Sequence, residues 1–285
     1  MTEESAVLYV VATPIGHLAD LTERARQMLC TVPWVAAEDT RHSQPLLRHL
    51  GSSARLLPAH QHNEEAAAQQ IIAKLTAGEA VALISDAGTP AVSDPGARIV
   101  ARVRAAGFRV VPLPGACAAA AALSASGLDA PHFLFYGFLP AKGGQRDSAL
   151  LSMLDLPYTL IFYEALHRIV DTVDALLAVF GPDRTLVIAR ELTKMFETIH
   201  ACPLAEAPAW LAADSNQQRG EFVLLLSGAP AAASDDLPAD SDRVLGLLLA
   251  ADLPLKQVAR LAAHILHAPK NALYERALAL KQAAG

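Results

Sequence analysis

The sequence predicts an α/β protein: two α/β domains with mixed or mostly parallel sheets, followed by a small helical module. Three observations carry this expectation. Short apolar runs alternate with helical patterns along most of the 285 residues. Loops rich in Gly, Pro and Asp stand directly behind several of those runs. Finally, "GAPAAASDDLPADSD" (228–242) reads as a polar linker that sets the end of the chain apart. The expected divisions are an N-terminal domain over 1–128, a second domain over 129–228, a linker over 229–241 and a basic helical module over 242–285.

Taken in order, "AVLYVVA" reads as a buried strand, and Asp20-Leu-Thr-Glu23 resembles a capping box opening a helix that runs to Leu29. "WVAAED" is a second strand that ends in charge. "SQPLLRHLG" is a short helix closed by Gly51, and Asn63 can cap a helix that stops near Gly78. A further strand, "AVALI" (80–84), runs straight into "SDAGTPAVSDPG". There Asp94-Pro95 reads as an N-cap with proline at the first helical position, so a helix is expected to reach Gly107. "RVVPLPG" is a strand and turn, and "ACAAAAALSASG" a tightly packed helix of small residues. Residues 127–131 mark a boundary. Beyond it "HFLFYGFL", "YTLIFYE", "RTLVIARE", "FETIHA" and "EFVLLLSG" are strands, with helices between them that include 167–180 and 204–213. Three short helices close the chain.

Composition narrows the class. A hydrophobic content of 53% with positive mean hydropathy excludes a disordered chain. The formal net charge of −6 excludes a general polyanion binder, so a nucleic-acid partner needs a local basic patch. Residues 252–285 supply one: five basic side chains against two acidic, a net of +3 that leaves −9 for the rest. Three scattered cysteines without a CxxC pair, and an acidic "MTEES" ahead of the first apolar run, point to a reduced cytoplasmic setting without a signal peptide. The uncharged run 110–128 is broken by Pro112, Pro114 and Gly115, so no membrane span is expected. His60-Gln-His62 has strand spacing for two rings on one face but lacks an acidic or Cys partner, and no metal site is expected. Neither G-x-G-x-x-G nor a phosphate-binding P-loop is present.

Four loops at strand ends suggest a walled site: "TPIGHL", "AEDTRHS", "SDAGTPAVSDPG" and "PLPGAC". In the third, Pro90 and Pro95 fix the backbone, Gly88 and Gly96 permit close approach, and Asp86 offers acceptors. Its 85–90 half is read as a shelf for a small polar ligand, while Asp94 is assigned to the helix cap. "AEDTRHS" packs Glu38, Asp39, Arg41 and His42 together; proton transfer, a phosphate contact and a plain capping ion pair all remain open there.

Together "YVVATPIGHLADLTERA", "AAEDTRHS", "LISDAGTPAVSDPG", "VVPLPGACAAAAALSASGL", "GFLPAK", "LIFYEALHR", "ARELTKMFETIH" and "GEFVLLL" resemble, in content and order, the ribosomal RNA small subunit methyltransferase I family. That family belongs to the tetrapyrrole-methylase-like class of S-adenosylmethionine methyltransferases. The resemblance runs from about Leu8 to the C-terminal "KNALYERAL". It implies a tetrapyrrole-methylase-like fold with S-adenosylmethionine between the two α/β domains, a homodimer, and 2′-O-methylation of a cytidine in the decoding region of 16S rRNA. Two other readings stay open, C-methylation of a tetrapyrrole and a non-catalytic cofactor- or RNA-binding regulator.

By the same resemblance, the cofactor should be held by Pro14, Ile15 and Gly16, by Ser85, Asp86, Ala87, Gly88, Thr89, Pro90 and Val92, and by Cys117 and Ala118. From the second domain Tyr163, Arg190, Glu191, Thr193, Gly220 and Glu221 should close the pocket. Lys142, Arg168 and Lys194 match basic positions expected to meet RNA; Arg146 and, in the tail, Lys256, Arg260 and Lys270 join them on charge. A helix-turn-helix character in the tail is balanced by a packing role. Asp39 or Glu38, held by Arg41, is the candidate base. His17, Ala116, Tyr136 and Ala165 depart from the family pattern.

Overall fold

The computed structural model describes every residue except 1–5, 130, 231–236, 252, 267 and 284–285. Parts of the expected linker, the acidic N-terminus and residue 130 of the expected boundary therefore lie outside the described residues, as do Asp252 and His267.

The first ten elements are β1 (Val7–Val11), α1 (Glu23–Thr31), β2 (Trp34–Ala37), α2 (Thr40–Leu50), β3 (Arg55–Pro58), α3 (Glu64–Thr76), β4 (Val81–Ile84), α4 (Ala97–Ala105), β5 (Arg109–Leu113) and α5 (Ala118–Ala125). Their strands form one sheet in the order β3-β2-β4-β1-β5, parallel at every pairing. β4 is apolar throughout because both of its faces are covered. Val81 and Leu83 pack with Ala67, Ile71 and Ile99 of α3 and α4, whereas Ala82 and Ile84 pack with Ala25, Leu29 and Leu47 of α1 and α2. The strand order reverses beside β1, so the loops after β1, β2, β4 and β5 converge at one end of the sheet.

A second sheet follows, from β6 (Phe133–Phe138), α6 (Gly143–Leu151), β7 (Thr159–Ala165), α7 (Ile169–Phe180), β8 (Thr185–Arg190), β9 (Thr198–Pro203), α8 (Ala207–Ala213) and β10 (Glu221–Leu226). Its order is β6-β7-β10-β8-β9; β6 and β7 are parallel and the remaining pairs antiparallel. This sheet is mixed and the first wholly parallel, as expected. One face packs on α6, α7 and α8 around Phe162, Leu176 and Leu224. The other receives α5: Ala119 and Ala122 lie against Ile161, Val187, Val223 and Leu225, together with Ile15 and Cys117. Small side chains let this helix lie close to the sheet, so both sheets share the compact unit Met1–Gly228. A separate compact unit, Ala229–Gly285, holds α9 (Ser241–Ala250), α10 (Leu255–Leu266) and α11 (Lys270–Ala283) around Leu245, Val258, Ala262, Leu273 and Ala277.

Three helix starts differ from expectation. α1 is capped by Thr22, whose hydroxyl accepts from Ala25 N, and not by Asp20, which sits in a 3₁₀ turn. Asn63 precedes α3 but turns its oxygen to His60 N. α4 begins after Gly96, at φ +132°, so Asp94 is not its N-cap. Among the described residues no helix is long and apolar enough to cross a membrane, and no group of three or more His, Cys, Asp or Glu could hold a metal ion.

Candidate active site

The four strand-end loops are stitched into one wall. Thr13 and Gly88 exchange both backbone hydrogen bonds, at 2.9 and 3.1 Å, and the Thr13 hydroxyl donates to Ser85 O. Thr89 Oγ1 donates to Ala116 O at 3.0 Å, and Asp86 Oδ1 accepts from Asp39 N at 3.1 Å. Thr13 and Ser85 are buried polar residues and both are satisfied. The third loop is also strained: Ala91 and Ser93 have φ of 67° and 62°, beside Gly88 at 81°. The two other non-glycine residues with positive φ among the described ones, Glu191 and Thr193, lie on the segment of the second sheet that faces these loops. There Thr193 Oγ1 accepts from His17 N at 3.1 Å. A Cβ on Gly16 would stand 2.6 Å from Lys194 Cγ, so only glycine allows this approach.

Between these walls lies a cavity of about 320 Å³. Gly88, Thr89, Val92, Cys117 and Ala118 form one side, and Tyr163, Leu192, Lys194, Glu221 and Val223 the other. Tyr163 OH accepts from Ala119 N at 3.1 Å, in the first turn of α5, and burial drives its phenol well above its ordinary value. Besides Glu221 and Glu164 of the second sheet, Glu38, Asp86 and Asp94 from the loops of the first sheet line the same cavity. Burial, followed by the charge of Asp86, raises Glu38. Burial, followed by the charge of Glu38, pushes Asp94 up to about 6, although a hydrogen bond with Ser85 opposes the rise. A larger cleft of about 730 Å³ adjoins it and shares Ile15, Asp86, Ala87, Lys194 and Glu221.

Most expected cofactor residues meet at these cavities: Ile15, Asp86, Ala87, Gly88, Thr89, Val92, Cys117, Ala118, Tyr163 and Glu221 at the smaller, Pro14, Gly16 and Ser85 at the larger. Others stand behind the wall. Arg190 is buried and donates to Arg219 O, Phe196 O and Thr198 Oγ1, which fixes the 191–197 turn. Glu191 accepts from Glu221 N and Lys194 Nζ; burial raises it, but the lysine and Glu221 N outweigh that and hold it below its ordinary value. A Cβ on Gly220 would stand 2.5 Å from the Glu191 carboxylate. Pro90 lines neither cavity.

Asp39 is the N-cap of α2. Its Oδ1 accepts from Arg41 N at 2.8 Å, and the Arg41 guanidinium holds its carboxyl below the usual range. Asp39 lines neither cavity, whereas Glu38 lines the smaller, so of the two candidate bases only Glu38 faces it.

The basic residues also separate. Arg168 donates to Leu139 O and Pro140 O and lies 3.4 Å from the fully buried Glu164, so its charge is used inside the second sheet. Lys194 Nζ bridges Glu191 and Glu221 at 2.8 and 2.7 Å at the edge of both cavities. Lys142 precedes α6, and Arg146 lies beside Asp147, Asp171 and Asp174. Lys256, Arg260 and Lys270 are exposed on α10 and α11. Sequence reasoning missed Asp94 and Leu192 as lining residues: the Asp-Pro pair imitates a helix cap, and Leu192 is a lone apolar residue in a charged segment.

Comparison with known proteins adds to this geometry. The family pattern of the Tetrapyrrole (Corrin/Porphyrin) Methylases matches residues 7–208, and that of the RsmI C-terminal HTH domain matches residues 235–281. The ribosomal RNA small subunit methyltransferase I of Escherichia coli O157:H7 is 52% identical over 271 residues, 95% of this chain and 94% of the relative. Its namesake from Pseudomonas aeruginosa is 52% identical over 96% of this chain and 97% of its own. Among solved structures, a uroporphyrin-III-C-methyltransferase from Thermus thermophilus superposes with TM-score 0.57 at 23% identity, over 78% of this chain and 94% of that one. A cobalt precorrin-4 methyltransferase gives 0.59 at 16% identity, over 80% and 97%. At these identities the structures share the fold alone.

Proposed function

Since the chain belongs to the tetrapyrrole (corrin/porphyrin) methylase family, and within it to the ribosomal RNA small subunit methyltransferase I relatives, we propose that it transfers a methyl group from S-adenosylmethionine to the 2′-oxygen of a cytidine ribose in the decoding region of 16S rRNA. The observation that carries this reading is the cavity at the carboxyl ends of β1, β4 and β5, adjoining a second, larger cleft. One space suits a cofactor and the adjoining space a macromolecular acceptor. Near full-length identity to rRNA methyltransferases favours RNA as that acceptor over a tetrapyrrole, because the tetrapyrrole enzymes share 16–23% identity.

The smaller cavity fits the cofactor chemically. Ile15, Val92, Leu192 and Val223 give apolar walls for a purine, and the positive φ of Gly88 lets main chain come close. Asp86, Asp94 and Glu38 supply acceptors for an ammonium or ribose hydroxyls and set a negative potential that suits a sulfonium. When bound, the cofactor brings an electrophilic methyl group whose displacement needs no further activation. The residues of the chain provide geometry. The rigid 85–92 loop and Tyr163 fix one partner, and Lys194 with Glu221 stands where the two spaces adjoin. A base to take the ribose proton is worth roughly 10²–10⁴-fold in rate. Glu38, raised by burial and facing the cavity, is the better placed of the candidates, with Asp39 holding the start of α2.

The protein works in the cytoplasm as a homodimer, residues 1–128 and 129–228 forming the two sides of the cleft. Lys142 and the exposed Lys256, Arg260 and Lys270 grip RNA phosphates. The test is tritiated methyl transfer from S-adenosylmethionine to small ribosomal subunits that lack the modification, with nuclease mapping. Label on one decoding-region ribose is expected. Cofactor binding without label would return the choice to a tetrapyrrole acceptor or a regulator.

A further inference from the structure

Five carboxylates line the smaller cavity, Glu38, Asp86, Asp94, Glu164 and Glu221, against a single cation among the described residues, Lys194. Three of the five have partners. Glu221 shares Lys194 with Glu191, and Glu164 accepts from the Thr172 hydroxyl and lies 3.4 Å from Arg168. Asp86 Oδ1 accepts from Asp39 N. Glu38 and Asp94 are left over: among the described residues neither takes part in an ion pair. The charge of Glu38 bears on Asp94, and that of Asp86 bears on both. Tyr163, with Cys117 beside it, faces Asp94 from β7 and stays neutral, since burial drives its phenol upward. From α2, the influence of His42 on Glu38 comes after those of Asp86 and Asp39.

The backbone is shaped to keep Asp94 in this place. Ala91 and Ser93, just before it, have φ of 67° and 62°. A Cβ on Gly137 would stand 2.5 Å from Ser93 Oγ, so the loop is wedged against β6. Backbone strain and like-charge repulsion are both costs of the arrangement. A cation in the cavity offsets the second of them. The positive charge of the cofactor lasts only until transfer. The ribose oxygen forms the new O–C bond, the C–S bond breaks with its electron pair left on sulfur, and the hydroxyl gives up its proton. One positive charge vanishes from the site in the step that releases another.

Resting on the methyltransferase reading above, we propose that Asp94 joins Glu38 in a proton-holding pair: both are ionised beside the sulfonium, and together they keep the ribose proton once the methyl group has moved. Glu38 receives the proton. Asp94 acts through Glu38 as a positioning residue, its charge strengthening the hold on that proton. The net charge of the site is then the same before and after transfer, because one proton replaces one sulfonium. The pair also separates cofactor from product. Ionised carboxylates attract S-adenosylmethionine more than S-adenosylhomocysteine, which lacks the sulfonium charge, whereas a protonated pair draws little distinction.

Calorimetry of the full chain with each of the two ligands, in buffers of different ionisation enthalpy, counts the protons released on binding. The ligands differ only in the methyl group and its charge, so protons from their shared amino and carboxyl groups cancel in the difference. Asp94 titrates at about 6. Near that pH, S-adenosylmethionine should release about half a proton more than S-adenosylhomocysteine. Because the ionised pair favours the sulfonium, the ratio of the two affinities should rise about tenfold from about pH 5 to about pH 8, the equivalent of one unit in the titration of the pair. Asp94→Asn and, independently, Glu38→Gln should each cut the proton difference at least about twofold while both ligands still bind. Equal proton counts for the two ligands in the wild-type protein, or a difference that neither variant alters, would overturn the proposal and leave the cofactor site standing. Failure of both ligands to bind the wild-type protein would overturn the methyltransferase reading and the pair with it.

Discussion

Asp94 is the residue whose chemistry departs furthest from its place in the sequence. Its carboxyl is pushed up to about 6 from 3.8 by burial and by the Glu38 charge, so the native state binds a proton that the unfolded state has released across that interval. Stability from this group is therefore highest at acid pH and falls as pH rises from about 4 to about 6. Asp94→Asn should remove that dependence. Discounting for partial exposure, it should stabilise the protein by about 1 kcal/mol at pH 8 and leave it unchanged near pH 4. Urea unfolding of both proteins at the two pH values checks this, and equal pH profiles would refute it. Arg168 makes the opposite case. Glu164 is fully buried and relies on Arg168, the Thr172 hydroxyl and Ala165 N. Arg168→Ala should cost about 3 kcal/mol through the charge left behind, read as a lower unfolding midpoint. A stable Arg168→Ala protein that bound RNA weakly would instead restore the phosphate-binding role.

At the scale of elements, the strands were legible because burial on both faces leaves an unmistakable apolar run, as in "AVALI" and "EFVLLLSG". Helix starts were less so. Asp20, Asn63 and Asp94 each carry a side chain that can cap, and the choice falls to tertiary contacts that a local pattern does not contain: Thr22, with its hydroxyl also directed to Pro114 O, caps α1, and Gly96 precedes α4. The site followed the same division. Loops at the ends of parallel strands could be read from topology, and so could their glycines. That Arg190 and Glu191 brace the wall from behind could not, because a strand residue's direction depends on register with β10 and β9. The loop after β4 is the element where cofactor binding is most exposed to damage. At Gly88 φ is +81°, and a Cβ would lie 3.3 Å from Ile15 Cγ2. A β-branched side chain there costs roughly 1–2 kcal/mol in backbone strain alone. Gly88→Val should weaken S-adenosylmethionine binding at least about tenfold while the cores of both sheets stay folded. Calorimetric titration alongside circular dichroism tests it, and wild-type affinity in a folded variant would remove the loop from the cofactor site.

For the whole molecule, the division into two compact units separates chemistry from grip. Every residue lining the two cavities belongs to Met1–Gly228, while Ala229–Gly285 has its own core around Leu245, Val258 and Leu273. Arg276 is bound within that unit to Asp242 and so contributes less positive charge outward, whereas Lys256, Arg260 and Lys270 are exposed. The rest of the protein carries a net negative charge, so a polyanion depends on local basic patches such as this one. Removing residues 229–285 should therefore leave cofactor affinity intact and lower methyl transfer to the ribosomal subunit. Neutralising Lys256, Arg260 and Lys270 to Gln gives a finer reading. Every phosphate of a single strand that a cation ceases to neutralise flattens the slope of log affinity against log salt by about 0.7, so the triple variant should flatten it by up to about 2. Cofactor affinity should not move. An unchanged slope would mean that the three side chains do not meet phosphates; the tail would then serve packing, and the work of holding the strand would pass to Lys142.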